Sequence, residues 1–344
     1  MDPQEPALDR RTVWAWSLYD FGNSSFAVLF ASMFSVYFKN EIVKPTGQPP
    51  DLWWGITIAG SMLLVALSAP FVGGIADHTG RRKRLLAAYT VLGIVAVLAL
   101  VLIRPGGFAM VITGCLVAAI ANVAFEGGIV FYNAYLPEIA PPSHRGRISA
   151  MGFAVGYGGS LVALGIAWPA LEADAWGWLW VAIAVQWAVF SIPAFRTLPA
   201  DRPTGESIRH AARRGLRETL GTVRDVWGMR DLRRFLIAYF VYMDGVITVV
   251  VFAASYASET LKFTPVEILG MLAIVQITAL LGSLLMGPPT DRLGPRWAVR
   301  LALLWWVGVV VAAYFAEAKG FFLSLIHISE PTRPPLLSRM PSSA

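Results

Sequence analysis

Charge is scarce in this chain: 15% of its 344 residues are Asp, Glu, Lys or Arg, against 56% hydrophobic ones. Soluble domains carry about 25% charged residues, so the composition excludes an ordinary globular interior wrapped in a polar surface. There is one cysteine, Cys115. An intrachain disulfide is therefore excluded, and an apolar packing role is expected. The four histidines, His78, His144, His210 and His327, fall in polar stretches without metal-ligand spacing. No G-x-S-x-G elbow and no G-x-x-x-x-G-K-[ST] loop occurs. A serine-hydrolase nucleophile and a pump with its own nucleotide site are thereby excluded. No enzymatic activity, cofactor or metal is expected. Lysine is sparse as well, 5 against 23 arginines, which points to a GC-rich genome and so to a bacterium.

What the chain does contain is long apolar runs. Crossing a bilayer takes about 20 residues in a helix rising about 1.5 Å per residue. Nine runs meet that length: 13–38, 53–76, 85–103, 108–135, 148–168, 176–195, 235–257, 266–287 and 297–316. A tenth is expected to begin at Phe321. No Lys or Arg interrupts the first eight, and Arg300 in the ninth lies one turn from its start, where it can snorkel. The N-terminus and the connections after even-numbered spans hold 21 basic residues, and the opposite connections hold five. The positive-inside rule puts the N-terminus in the cytosol. The net charge of +6 is thus a topology signal, and no nucleic-acid partner is expected. Met1–Arg11 is acidic and polar, unlike a cleavable signal, so the first run is expected to remain as a span.

Residues 1–195 form one six-span bundle, 196–234 a cytosolic linker, and 235–322 the start of a second bundle. In the linker, Ile208, Ala212, Leu216, Leu220, Val223 and Trp227 recur every three or four residues, with Arg209, Arg213, Arg217 and Arg224 mostly off that face. Two readings stand: an amphipathic helix on the membrane surface, or a helix packed under the bundle. Residues 323–333, Leu-Ser-Leu-Ile-His-Ile-Ser-Glu-Pro-Thr-Arg, resemble a translated sequencing-library adapter, and Pro331, Pro334 and Pro335 cut the tenth run short. Residues 323–344 are therefore expected to be a non-native tail and are left out of the fold reading.

The connection after the second span reads Gly73-Gly74-Ile75-Ala76-Asp77-His78-Thr79-Gly80-Arg81-Arg82. An altered copy, Gly287-Pro288-Pro289-Thr290-Asp291-Arg292-Leu293-Gly294-Pro295-Arg296, follows the eighth. A repeated second hairpin marks two related bundles. These loops resemble the signature of the major facilitator superfamily, as do Pro137-Glu138 and Arg145-Gly146-Arg147 after the fourth span. The first copy departs from the signature at Ile75 and His78. Around the first span, Trp16-Ser17-Leu18-Tyr19-Asp20-Phe21-Gly22-Asn23-Ser24-Ser25-Phe26 is similar to the vacuole-effluxer-like branch. Its fungal members are linked to amino-acid export from the vacuole. The resemblance implies an all-α polytopic membrane protein of the major facilitator fold, truncated after about nine of twelve helices and monomeric when full length. It implies the inner membrane of a bacterium, or a vacuolar membrane in a eukaryote. A cytosolic gating motif of Gly73, Asp77, Gly80, Arg81, Glu138, Arg145, Arg147, Asp291, Gly294 and Arg296 is expected. Its charged members can latch one conformation, although Arg81, Arg82, Lys83 and Arg84 also serve topology.

Three acids lie well inside spans: Asp20 in the first, Glu126 in the fourth and Asp244 in the seventh. An intramembrane charge costs at least about 2.5–3.5 kcal/mol, so such residues are functional candidates. Each sits roughly 10–14 Å from the cytosolic end of its span at the helical rise per residue. The resembled fold lines its central cavity with helices 1, 4, 7 and 10. The expected site is therefore a shared cavity in which Asp20 or Glu126 exchanges a proton, with Tyr19, Asn23, Asn122 and Asn133 binding a small polar solute. Alternatively, a local Asn, Ser or Tyr holds each acid and only orders the bundle. In the fifth span, Gly152, Gly156 and Ser160 at four-residue spacing predict close helix packing. The function expected is secondary active transport of a small polar solute, amino acids by resemblance, with proton coupling. An uncoupled facilitator, a drug or metabolite efflux carrier, and a transport-dead receptor or assembly protein on the same fold are the alternatives.

Overall fold

The computed structural model describes residues 9–259 and 262–314. The described residues are helical throughout their ordered elements, with no strand among them. The first span is one rod, made of α1 (Arg10–Leu29) and a continuation through π-helical segments Phe30–Phe34 and Phe38–Val43. Then come α2 (Pro50–Thr79), α3 (Arg82–Ala99), α4 (Phe108–Ala134), α5 (Arg145–Glu172) and α6 (Trp176–Thr197). The linker forms α7 (Ile208–Gly228), and α8 (Arg230–Glu259), α9 (Pro265–Leu293) and α10 (Pro295–Tyr314) follow. Seven of these elements are long and apolar enough to cross a membrane over their described residues. The nine expected spans fall on α1–α6 and α8–α10. The expected tenth run and the tail 323–344 lie outside the described residues.

Local chemistry sets the helix ends. Asp9 caps α1, its carboxylate accepting from the Arg11 amide at 3.0 Å and the Thr12 hydroxyl at 2.6 Å. Gly80 ends α2 in the left-handed region at φ 64°, its amide bonding back to the Ala76 carbonyl. α9 opens on a reciprocal box in which Thr264 Oγ1 accepts from the Glu267 amide and Glu267 accepts from the Thr264 amide. α3 and α5 differ: Arg81 and His144 precede them, and neither side chain caps the helix.

Within the first half, α1 packs on α5 and α6, α3 on α4 and α6, and α2 on α4. The glycine stripe of α5 draws α1 in. A Cβ on Gly152 would strike the Trp16 ring, one on Gly156 the Asp20 carboxylate, and one on Gly159 the backbone of Phe21. Between helices in lipid, close approach of this kind gains dispersion energy where no hydrophobic driving force exists. Further along the first rod, Phe26, Phe30, Phe34 and Phe38 stack at four-residue intervals, with successive ring centroids 4.6, 5.6 and 5.7 Å apart. Trp54 of α2 and Trp180 of α6 pack against this ladder. Across the two halves, α9 packs along α5, and Gly287 lies against Ala150 and Arg147.

Candidate functional site

Asp20 is buried, 9% exposed, and faces α5 at Gly156. Its carboxylate makes no hydrogen bond to the described residues, Asn23 and Ser24 included. Two further polar atoms nearby are buried without a partner among the described residues: the Tyr132 hydroxyl and Asn23 Oδ1. An aromatic stack positions Tyr132. Its ring lies parallel to Trp16 at 4.5 Å and against Tyr19 at 5.2 Å, and Trp16 Nε1 donates to its carbonyl at 3.1 Å. Tyr19 is satisfied elsewhere. Thr90 Oγ1 of α3 donates to the Leu86 carbonyl, so the Tyr19 hydroxyl donates to Thr90 at 2.8 Å. The result is an acid and an amide oxygen on α1 and a phenol on α4, each without a hydrogen-bond partner among the described residues. Buried polar groups without partners are uncommon in native proteins, and they mark places where water or a ligand completes the set.

The other expected cavity residues differ in burial and partners. Glu126 is half-buried on α4. Asn122, one turn before it, is buried and donates to Ser61 Oγ of α2 at 2.9 Å, which ties two helices together. Asn133 is half-buried near the cytosolic end of α4, and Asp244 is exposed on α8. Among the described residues, no hydrogen bond or ion pair joins Asp20, Glu126 and Asp244. Sequence position sets depth along a helix but leaves its rotation open, and α5's glycines turn Asp20 toward α5. Tyr132, whose hydroxyl is buried without a partner among the described residues, carried no signal in the sequence beyond being polar inside a span.

On the cytosolic side, Arg82 is the connecting residue. It pairs with Asp77 at 3.5 Å and with Glu138, donates to the Ala134 carbonyl at 3.3 Å, and lies 5.8 Å from the Tyr135 ring centroid. One guanidinium thus joins the ends of α2 and α4 at the start of α3. Arg81, expected in that role, has a buried Nε without a partner among the described residues. Arg145 closes the loop after α4, bonding the Ala140 and Pro137 carbonyls at 3.2 and 3.3 Å. Arg147 enters through its backbone, and Arg296 is exposed. Gly294 ends α9 at φ 86°. Gly73 has open space at its Cβ position, and it is Gly74 that meets another helix backbone, at Gly215 of α7.

Remote aspartates supply the caps that α3 and α5 lack. Asp201 accepts from the Lys83 and Arg84 amides at 2.7 and 3.2 Å. Asp291 of the second loop copy accepts from the Gly146 and Arg147 amides at 2.9 and 3.0 Å. A carboxylate on free N–H groups at the positive end of a helix dipole is favourable on both counts. The second loop copy therefore ties the second half to the first.

Solved structures of similar shape place this architecture. The chain superimposes on the human organic anion transporter MFSD10 with a TM-score of 0.67 at 17% identity, covering 94% of this chain and 83% of that one. For the proton:xylose symporter XylE the TM-score is 0.65 at 15% identity, with 93% and 78% covered. The fold is that of the major facilitator superfamily, in a multi-pass membrane protein. Within it, the model of the Atg22-like vacuole effluxers matches residues 55–146 and 142–321, so the chain belongs to that family. Curated relatives agree. The MFS-type transporter YxiO of Bacillus subtilis is 26% identical over 88% of this chain and 73% of its own length. Autophagy-related protein 22 of Yarrowia lipolytica is 22% identical over 80% of this chain and 60% of its own length.

Proposed function

We propose that this chain is part of a secondary active transporter that moves a small polar solute by alternating access, and that Asp20 carries the coupling proton. The observation behind this reading is the open set on the first half: a buried Asp20 carboxyl, the Tyr132 hydroxyl and Asn23 Oδ1, without partners among the described residues. Burying a charge without a partner is expensive. A proton, or the cationic group of a solute, relieves that cost at Asp20, and Tyr132 and Asn23 then offer a donor and an acceptor. Because the cost depends on what occupies the site, occupancy can bias which face of the membrane the cavity opens to. The seam between α5 and α9, tied through Asp291, is the contact across which the halves rock. Amino acids lead as substrate, from the family resemblance; their ammonium group complements an acid and their carboxylate complements a phenolic hydroxyl. Glu126 is the second candidate for the proton.

The test is uptake into proteoliposomes by the whole gene product, with an imposed pH gradient and a panel of amino acids. Asp20→Asn is expected to abolish uphill accumulation while leaving counterflow exchange of the same solute, since exchange needs no net proton movement. Tyr132→Phe is expected to weaken solute affinity and to leave coupling in place. Full uphill accumulation by Asp20→Asn would overturn the proposal, and its loss in Glu126→Gln instead would move the coupling proton to Glu126.

A further inference from the structure

We infer that α7 is a docking surface for acidic phospholipid head groups, held by the first half at the cytosolic edge of the bilayer. The helix uses two different faces. Ala211 and Gly215 are buried against α2, where the Gly215 and Gly74 backbones meet and a Cβ on Gly215 would also strike the Pro70 carbonyl. Around it, Arg202 donates its amide to the Gly80 carbonyl at 3.0 Å, Thr204 its amide to Thr79 at 3.2 Å, and Glu218 pairs with His78 at 2.8 Å. These ties fix the start of the helix to the end of α2, where that span's apolar run stops. At its far end, Arg233 of α8 donates to the Trp227 carbonyl at 2.8 Å, as the chain turns into the next span. The start of α7 is thus held to the end of α2, and its far end to the start of α8.

The second face points away from α2. At about 100° per residue, Leu220, Val223 and Trp227 centre about 130° around the helix from Ala211 and Gly215. They are 61%, 58% and 63% exposed. Arg213, Arg217 and Arg224 border this apolar stripe on its outer side, about 70° on, and all three are exposed. The acids Glu218 and Asp225 lie on the far side of the helix, about 180° from the stripe and about 50° from the face on α2. Apolar side chains bordered by arginines that can snorkel suit the boundary between acyl chains and anionic head groups. The charges that border the apolar stripe are therefore of a single sign, and the acids lie behind it. The occupant we assign is the lipid surface; a protein partner on the same stripe is the competing outcome of the test.

The experiment uses the full chain with Cys115→Ala, so that an introduced cysteine is the only one. Val223→Cys and Asp225→Cys are each spin-labelled and placed in nanodiscs of phosphatidylcholine alone or of equal parts phosphatidylcholine and phosphatidylglycerol. Collision with oxygen, which partitions into lipid, is compared with collision with a water-soluble nickel chelate. In acidic discs the Val223 label is expected to favour oxygen, and in neutral discs nickel, so the logarithm of the ratio reverses sign. The Asp225 label is expected to favour nickel in both. The combined Arg213→Gln, Arg217→Gln and Arg224→Gln variant is expected to keep the Val223 label in water in acidic discs. A Val223 label that stays in water in acidic discs, sits equally deep in both lipids, or is immobilised and shielded from both reagents would overturn the inference. The last result would mark a protein contact.

Discussion

Removing the Asp291 carboxylate is expected to loosen the start of α5 without unfolding the bundle. His144 gives α5 no side-chain cap, and among the described residues it is Asp291 that accepts from the Gly146 and Arg147 amides, at 2.9 and 3.0 Å. Losing a cap costs about 0.5–2 kcal/mol, and losing a negative charge at a helix N-terminus about 0.3–1 kcal/mol more. Asp291→Ala is thus expected to cost about 2 kcal/mol locally, which at about 1.4 kcal/mol per factor of ten is about thirtyfold faster amide exchange. Asp291→Asn keeps one acceptor without the charge and is expected to fall about halfway on the logarithmic scale. The assay is hydrogen–deuterium exchange of peptides covering 145–148 in detergent or nanodiscs. Asp201→Ala is the internal control. It should release the Lys83 and Arg84 amides, bonded to Asp201 at 2.7 and 3.2 Å, and leave 145–148 unchanged. Unchanged protection at 145–148 in Asp291→Ala, or equal loss at both helix starts in either variant, would refute the assignment of one remote aspartate to each helix.

Other consequences follow from the same contacts. Gly156→Ala places a methyl group on the Asp20 carboxylate and is expected to cost about 1–3 kcal/mol as overpacking, read as a lower melting temperature by size-exclusion chromatography; Gly165→Ala, with open space at the Cβ, should melt like the parent. Arg82→Ala is expected to loosen the ends of α2 and α4 together, because one side chain reaches Asp77, Glu138 and the Ala134 carbonyl. Arg81→Ala should do less; equal exchange changes at 134–139 in the two variants would contradict that. Glu218 is held below its ordinary value of 4.5, first by the Arg214 hydrogen bond and then by that from His78. A depressed carboxylate contributes above its unfolded value and loses that contribution as pH falls through its folded one. The tie between α7 and α2 should therefore persist above pH 4.5 and weaken below it, seen as faster exchange over 208–218 after correction for the intrinsic pH effect. Glu218→Gln should lack that acid step, and an identical step in the variant would count against the pair.

The sequence by itself determined the long apolar helices and the amphipathic helix of the linker, because apolar run length and a one-sided apolar period are properties of each segment alone. It also determined the close approach at α5, since Gly152, Gly156 and Ser160 repeat on one face. Tertiary structure decided which neighbour each polar group meets. The loop signature marked Arg81 and Gly73, yet Arg82 makes the ion pairs and Gly74 meets α7. Nothing local marked Asp201 and Asp291 as caps, for each binds amides 117 to 145 residues away. Asp20, Glu126 and Asp244 share a depth in the sequence, whereas the structure sets Asp20 against α5 and leaves Asp244 exposed on α8. The physical reason is rotational. In lipid, the faces turned to the membrane and to the bundle are both apolar, so periodicity cannot orient a helix about its axis. Small residues that admit a close neighbour, and polar groups that need a partner, set that angle only once the helices meet.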